Sequence, residues 1–209
     1  MRTQLPLRSL FKSVSVALLV LGTASISRAD NTIVDTGAGT TEWSWVLGGT
    51  GSNYPQSLAA QFTVTQDITV TSIEGWIGSY NDGTVRIAIT DNSNGTIPGA
   101  QIWADNLAVY ANTGTTWQGF TNLNLFLSAG TYWVAFIGNS DLSAGMPSGV
   151  PNPLGVEAFA SSYNGMWYEQ DTLDLGVRIK GNSVPDSASV VGLLGLALGA
   201  MVMVRRRLR

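Results

Sequence analysis

Between residues 30 and 183, apolar side chains recur at every second position, and turn-forming residues cut the pattern every eight to twelve residues. Phe62 alternates with Val64, and Ile68 with Val70. Val85, Ile87 and Ile89 fall on one side of a run that carries Arg86, Ala88 and Thr90 on the other. Leu123, Leu125 and Leu127 repeat the pattern, as do Leu173, Leu175, Val177 and Ile179. Successive side chains of a strand point to opposite faces, so each run can bury one face of a sheet. No helical stripe of period 3.6 competes with it. Turn chemistry falls at Asn81-Asp82-Gly83, Asn94-Gly95, Pro98-Gly99 and Asn164-Gly165. The alternation slips phase between Val70 and Ile73, which marks either a β-bulge or a strand passing from one sheet to another. Many short strands with such punctuation give an all-β fold, an antiparallel β-sandwich of jelly-roll type.

About 150 residues suffice to bury roughly 68–70% of the unfolded surface. No disulfide is required, and the chain has no cysteine. It also has no histidine. Thiol nucleophiles, Cys- or His-ligated metal sites and a Ser-His-Asp triad are thereby excluded. Charge is distributed unevenly. Residues 30–183 hold three bases (Arg86, Arg178, Lys180) against 13 acids, so 3 − 13 leaves this stretch near −10 although the whole chain carries −3. Such a surface repels nucleic acid and anionic lipid headgroups, which excludes a nucleic-acid partner.

The two ends have a different composition. Residues 1–29 carry Arg2, Arg8, Lys12 and Arg28 and no acid, with an apolar stretch from Val14 to Gly22. Ser27-Arg28-Ala29 then places small residues at −3 and −1 of a cleavage site before Asp30. This reads as a secretory signal peptide over residues 1–29, cleaved after Ala29. Its partners are the Sec translocon and signal peptidase. At the other end, Ala188 to Val204 is 17 residues without a charge, at the lower limit for a transmembrane helix. Arg205, Arg206, Arg207 and Arg209 follow at once and orient the C-terminus to the cytoplasm. Gly195 and Gly199 form a GxxxG pair, which can pack two such helices together.

Val184-Pro185-Asp186-Ser187 stands directly before this apolar stretch. A Pro-acid motif, a short Gly/Leu/Ala helix and a terminal Arg cluster together resemble the PEP-CTERM sorting signal, in wording closest to its VPDSG variant. Ala188 stands where that variant has Gly. The resemblance covers residues 184–209. It implies recognition by an exosortase, a transpeptidase-like membrane enzyme that cuts near the Pro-acid motif. It also implies a single-pass membrane intermediate that ends at the cell surface or in an exopolysaccharide-rich biofilm matrix. The domain organisation is then a signal peptide at 1–29, a β-sandwich ectodomain at 30–183 and a sorting signal at 184–209. Three stretches of the middle also resemble β-sandwich ectodomains found ahead of such tails: Gln61-Phe62-Thr63-Val64 through Ile73-Glu74-Gly75-Trp76, Asp91 to Pro98-Gly99, and Ala129-Gly130-Thr131-Tyr132-Trp133. That likeness concerns architecture and carries no assigned activity.

Seven Trp invite a carbohydrate-binding reading. Trp43 and Trp45 lie two apart and share a strand face. Trp167 and Tyr168 sit beside Glu169, Asp171 and Asp174 after a turn at Asn164-Gly165. Carboxylates beside an aromatic platform can hydrogen-bond sugar hydroxyls. Trp76, Trp103, Trp117 and Trp133 are assigned instead to the sandwich core, where large aromatics usually sit. A carboxylate-only glycosidase needs two acids about 5–10 Å apart across a cleft. Nothing in the spacing of Glu74, Glu157, Glu169 and the Asp residues singles out a pair. Asp91-Asn92-Ser93-Asn94-Gly95 is oxygen-rich like a calcium loop but departs from the EF-hand pattern, so a turn is the simpler reading. Residues 138–154 form a long proline-bearing segment, either a functional mobile loop or a crossover between sheets. The sequence thus points to a non-enzymatic, exported surface or matrix protein without metal or cofactor. Its sandwich would be structural or adhesive, and alternatively a carbohydrate-binding module contacting exopolysaccharide.

Overall fold

The computed structural model describes residues 30–40, 44–49, 54–111 and 114–184. The expected cleavage site at Ala29, Trp43, the motif residues Pro185, Asp186 and Ser187, the apolar stretch 188–204 and the cluster Arg205, Arg206, Arg207 and Arg209 lie outside the described residues.

Within them the regular elements are all strands: β1 (Asn31–Asp35), β2 (Ser44–Gly48), β3 (Ser57–Val64), β4 (Ile68–Ser79), β5 (Gly83–Asp91), β6 (Gln101–Val109), β7 (Thr116–Phe120), β8 (Leu125–Leu127), β9 (Gly130–Ile137), β10 (Ser143–Pro147), β11 (Glu157–Ala160), β12 (Trp167–Glu169) and β13 (Val177–Ser183). They form two antiparallel sheets. The smaller has six strands in the order β12-β11-β3-β9-β5-β6. The larger has seven, in the order β1-β13-β4-β10-β2, with β7 and β8 also paired to β4. Trp76 and Tyr80 lie four residues apart and so aim their amides at the same edge of β4. Their N–H groups donate to Gly176 and Ser143, so β13 and then β10 share that edge. β8 and β7 follow one another along the opposite edge.

The sheets pack face to face through the side chains that the alternation assigns inward. Ile73, Ile77, Val177 and Ile179 of the larger sheet, with Leu175 just before β13, share one buried cluster with Leu58, Phe62, Ile87, Ile89, Val134 and Phe136 of the smaller. Burial of each such side chain contributes about 1.5–3 kcal/mol, which explains how the sandwich closes without a cross-link. Phe136 reaches across to Gly75, where a Cβ would stand 2.9 Å from its ring Cζ, so a glycine is needed at that point of β4.

The phase slip between Val70 and Ile73 is a β-bulge. Ser72 faces Lys180 and Val70 faces Gly181, leaving Thr71 as the extra residue, and β4 continues in the same sheet. The proline-bearing segment 138–154 is a crossover between sheets. It carries β10, which pairs with β2 and β4 in the larger sheet, whereas β9 before it and β11 after it belong to the smaller. Asn81-Asp82-Gly83 likewise passes the chain from β4 to β5, which are in different sheets.

The Trp assignment needs correction. Trp133 is fully buried, but on the outer face of the smaller sheet, among Ala59, Ala88, Ala135 and Ala158. Both faces of β9 take apolar side chains, so alternation cannot say which one faces the other sheet. Trp103 is partly buried against the inter-sheet core, edge-on to Phe120 at 5.5 Å. Trp76 and Trp117 stand on the outer face of the larger sheet, because their neighbour Ile77 points inward.

Candidate functional site

Among the described residues, those picked out as possible glycan contacts do not all share one strand face. On β2, Leu47 and the partly buried Trp45 pack toward the core, while Ser44 and the exposed Val46 face outward. Trp45 nevertheless stays partly exposed and lines a shallow pocket of about 260 Å³ with Ser44, Ser148 and Thr172. β12 pairs residue by residue with β11: Ala158 with Glu169, Phe159 with Tyr168, and Ala160 with Trp167. Trp167 and Glu169 consequently share the outer face, where Trp167 packs against the Trp133 cluster. Tyr168 is on the opposite face, stacked on Phe159 at 5.7 Å and 42% exposed. Its hydroxyl accepts a hydrogen bond from Asn164 Nδ2 at 2.8 Å. Asp171 is exposed in the following turn.

The structure instead brings aromatic and charged groups together on the outer face of the larger sheet. β4 and β7 pair so that Trp76 lies directly opposite Trp117. Their rings meet edge-to-face, with centroids 5.4 Å apart. From β13, the Arg178 guanidinium lies 4.1 Å above the Trp117 ring, while its Nε donates to Asp35 Oδ2 of β1 at 3.2 Å. A cation held over indole contributes about 0.5–1 kcal/mol at a solvated site. Gly119 opposes Glu74 on β4, so no β7 side chain stands across from Glu74 in that row.

One step further along β4 the same face opens into a groove of about 350 Å³, lined by Ser44, Gly78, Ser79, Tyr80, Gly114, Thr115 and Gly145. Glycines create its depth. A Cβ at Gly78 would stand 2.7 Å from Thr115 Oγ1, and one at Gly145 would stand 2.6 Å from Ser44 Cβ. Tyr80, 77% exposed, forms one wall. Among the described residues, no charged side chain lines the groove. Aromatic character alone did not mark Trp76 and Trp117 as outward-facing; the usable signal was phase, since Trp76 shares the face of Glu74 and opposes Ile73 and Ile77.

Two carboxyl groups have unusual surroundings. Glu157, at the start of β11, is fully buried. Its two oxygens accept N–H bonds from Asp174 at 2.6 Å and Leu175 at 2.8 Å. Burial pushes its pKa up from the usual 4.5 to about 7, against the opposing pull of those N–H groups. It pins the turn that leads into β13, and that turn needs holding because Asp174 adopts a φ of 49°. Asp91 has the opposite shift. The Ser93 hydroxyl and N–H, with the Ala100 N–H, hold its carboxyl below the usual range, with slight desolvation opposing. Oδ1 accepts all three bonds, which closes the β5–β6 loop. Among the described residues no three acidic side chains converge in a metal-binding arrangement.

No known protein family and no curated protein sequence matches this chain.

Proposed function

We propose that this chain is an exported bacterial surface or matrix protein, sorted by an exosortase, whose jelly-roll-like sandwich is a non-catalytic contact module. The observation that carries the reading is the tail: Val184-Pro185-Asp186-Ser187, an uncharged stretch to Val204, and Arg205, Arg206, Arg207 and Arg209 in immediate succession. The fold is compatible with it. β1 pairs antiparallel with β13, and Asn182 Nδ2 donates to Asp30 Oδ1 at 3.0 Å, so the sandwich's first and last residues leave from the same end. Among the described residues the last such contact is the Val184 N–H bonded to the Asp67 carbonyl at 2.9 Å. The first residue of the Pro-acid motif is thus tied to the sandwich, and Pro185 has no N–H to donate to a ladder. The non-catalytic reading is supported by two of the acids: Glu157 is enclosed and bonded to backbone, and Asp35 is engaged by Arg178.

Replacing Arg205, Arg206, Arg207 and Arg209 with Gln tests the sorting. Basic residues at a helix end set topology and are hydrated, so the variant should misorient or escape processing while its sandwich still folds. Wild-type export and processing of that variant would remove the cluster from the signal.

A further inference from the structure

We propose that the outer face of the larger sheet binds a neutral oligosaccharide, seated in the groove between Ser44 and Tyr80 and continuing onto the Trp76–Trp117 pair. The inference rests on the reading of the sandwich as a non-catalytic contact module and is independent of how the chain is sorted.

The groove's volume of about 350 Å³ lies at the lower end of the range for small-molecule sites, about 300–1,000 Å³. Its walls offer the hydroxyls of Ser44, Thr115 and Tyr80, and its floor is the glycine backbone of Gly78 and Gly145. A hydroxyl both donates and accepts, so hydroxyl walls match a ligand made of hydroxyls. Along β4, Trp76 is two residues from Gly78, so the indole pair begins about 7 Å from the groove. A pyranose ring presents C–H groups on its flat face, and these pack on an aromatic face; because the Arg178 guanidinium covers one face of Trp117, contact there is limited to what that cation leaves free. Gly78 beside Thr115 and Trp76 opposite Trp117 are successive rows of one sheet face, an arrangement that suits consecutive sugar units better than a single ring.

Charge selects among saccharides. The described lining of the groove is uncharged, and the nearest cation described, Arg178, is held by Asp35 and Trp117. With three bases against 13 acids over residues 30–183, a polyanionic chain would be repelled before reaching the site. The ligand class is therefore neutral hexose polymers, and uronic-acid polymers are excluded.

The test uses the purified full chain in a detergent without a sugar headgroup. It is titrated with neutral hexaoses of glucose, mannose and galactose, and with hexagalacturonate. Calorimetry and tryptophan fluorescence should report binding of at least one neutral hexaose and none of hexagalacturonate. Trp117→Ala should weaken that binding about tenfold or more, the loss of one good contact. Tyr80→Ala should do the same. Because that side chain is mostly exposed, the variant should keep the wild-type circular dichroism, so a loss of binding is not a loss of fold. The proposal is overturned if no neutral hexaose binds at millimolar concentration, if the acidic one binds as well, or if Tyr80→Ala binds like wild type. Release of reducing ends during titration would contradict the non-catalytic reading while leaving the binding site standing.

Discussion

Glu157 accepts the backbone N–H of Leu175 at 2.8 Å across 18 residues of chain, which fastens the first residue of β11 to the turn entering β13. The acceptor is a fully buried carboxyl, so the fastening is linked to pH.

The sign follows from its raised pKa. The folded state holds a proton up to about pH 7, whereas the unfolded chain releases it near 4.5. This group's contribution is therefore complete below pH 4.5 and is lost as pH rises to about 7. A shift of that size corresponds to roughly 3 kcal/mol at most. Urea unfolding of wild type should show stability falling between pH 5 and 7.5 relative to Glu157→Gln, which cannot ionise. Parallel profiles for the two proteins would contradict the linkage.

Asn92 is the acceptor that seats the β5–β6 loop on the smaller sheet. Its Oδ1 receives both Trp133 Nε1 and Gln61 Nε2 at 2.9 Å. Asn92→Ala removes the partner of a buried indole N–H, whereas Gln61 Nε2 keeps the Gly95 carbonyl at 3.0 Å. An unsatisfied buried donor costs about 1–3 kcal/mol, so a loss of about that size in chemical denaturation is expected. Asn92→Asp keeps an oxygen in place and should lose much less. Equal losses in the two variants would show that the oxygen is not what matters.

Gly119 and Gly155 should respond oppositely to alanine. A Cβ at Gly119 would overlap the Ile73 carbonyl oxygen and stand 2.6 Å from Glu74 Cα, both backbone atoms of the paired strand. Gly155 has open space around it. Gly119→Ala should cost about 1–3 kcal/mol or more through forced strand separation. Gly155→Ala should be neutral or stabilising by up to about 1 kcal/mol through the unfolded chain. Thermal melts of the two variants distinguish these outcomes.

How much the sequence made legible depends on whether one face of a strand or both are apolar. Where only one face is, as in Leu173, Leu175, Val177 and Ile179, alternation identifies the inward residues, and all four are buried. The slip at Thr71 was visible because two such stretches met out of phase. On β9 the run Tyr132-Trp133-Val134-Ala135-Phe136 is apolar on both faces, so the outward position of Trp133 was hidden. β10 was hidden for another reason. Ser143-Ala144-Gly145-Met146-Pro147 is a weak strand former, and it is held in place by pairing with distant residues of β2 and β4. The groove beside Trp76 and Trp117 has the same origin. It is made by strands from four parts of the chain and by glycines, which leave no hydrophobic pattern.

Exosortase sorting is the centre of the functional account, and mass spectrometry of the C-terminal peptide tests it most directly. A 17-residue stretch rich in Gly, Leu and Ala is a marginal permanent anchor, and it follows a proline that keeps Val184 extended and accessible. In cells that possess an exosortase, the mature surface protein should end within or near Val184–Ser187. In cells lacking the enzyme the chain should retain its full tail and remain membrane-bound. An intact Ala188–Val204 segment in the mature surface protein of exosortase-bearing cells would contradict the account and reduce the tail to a simple anchor.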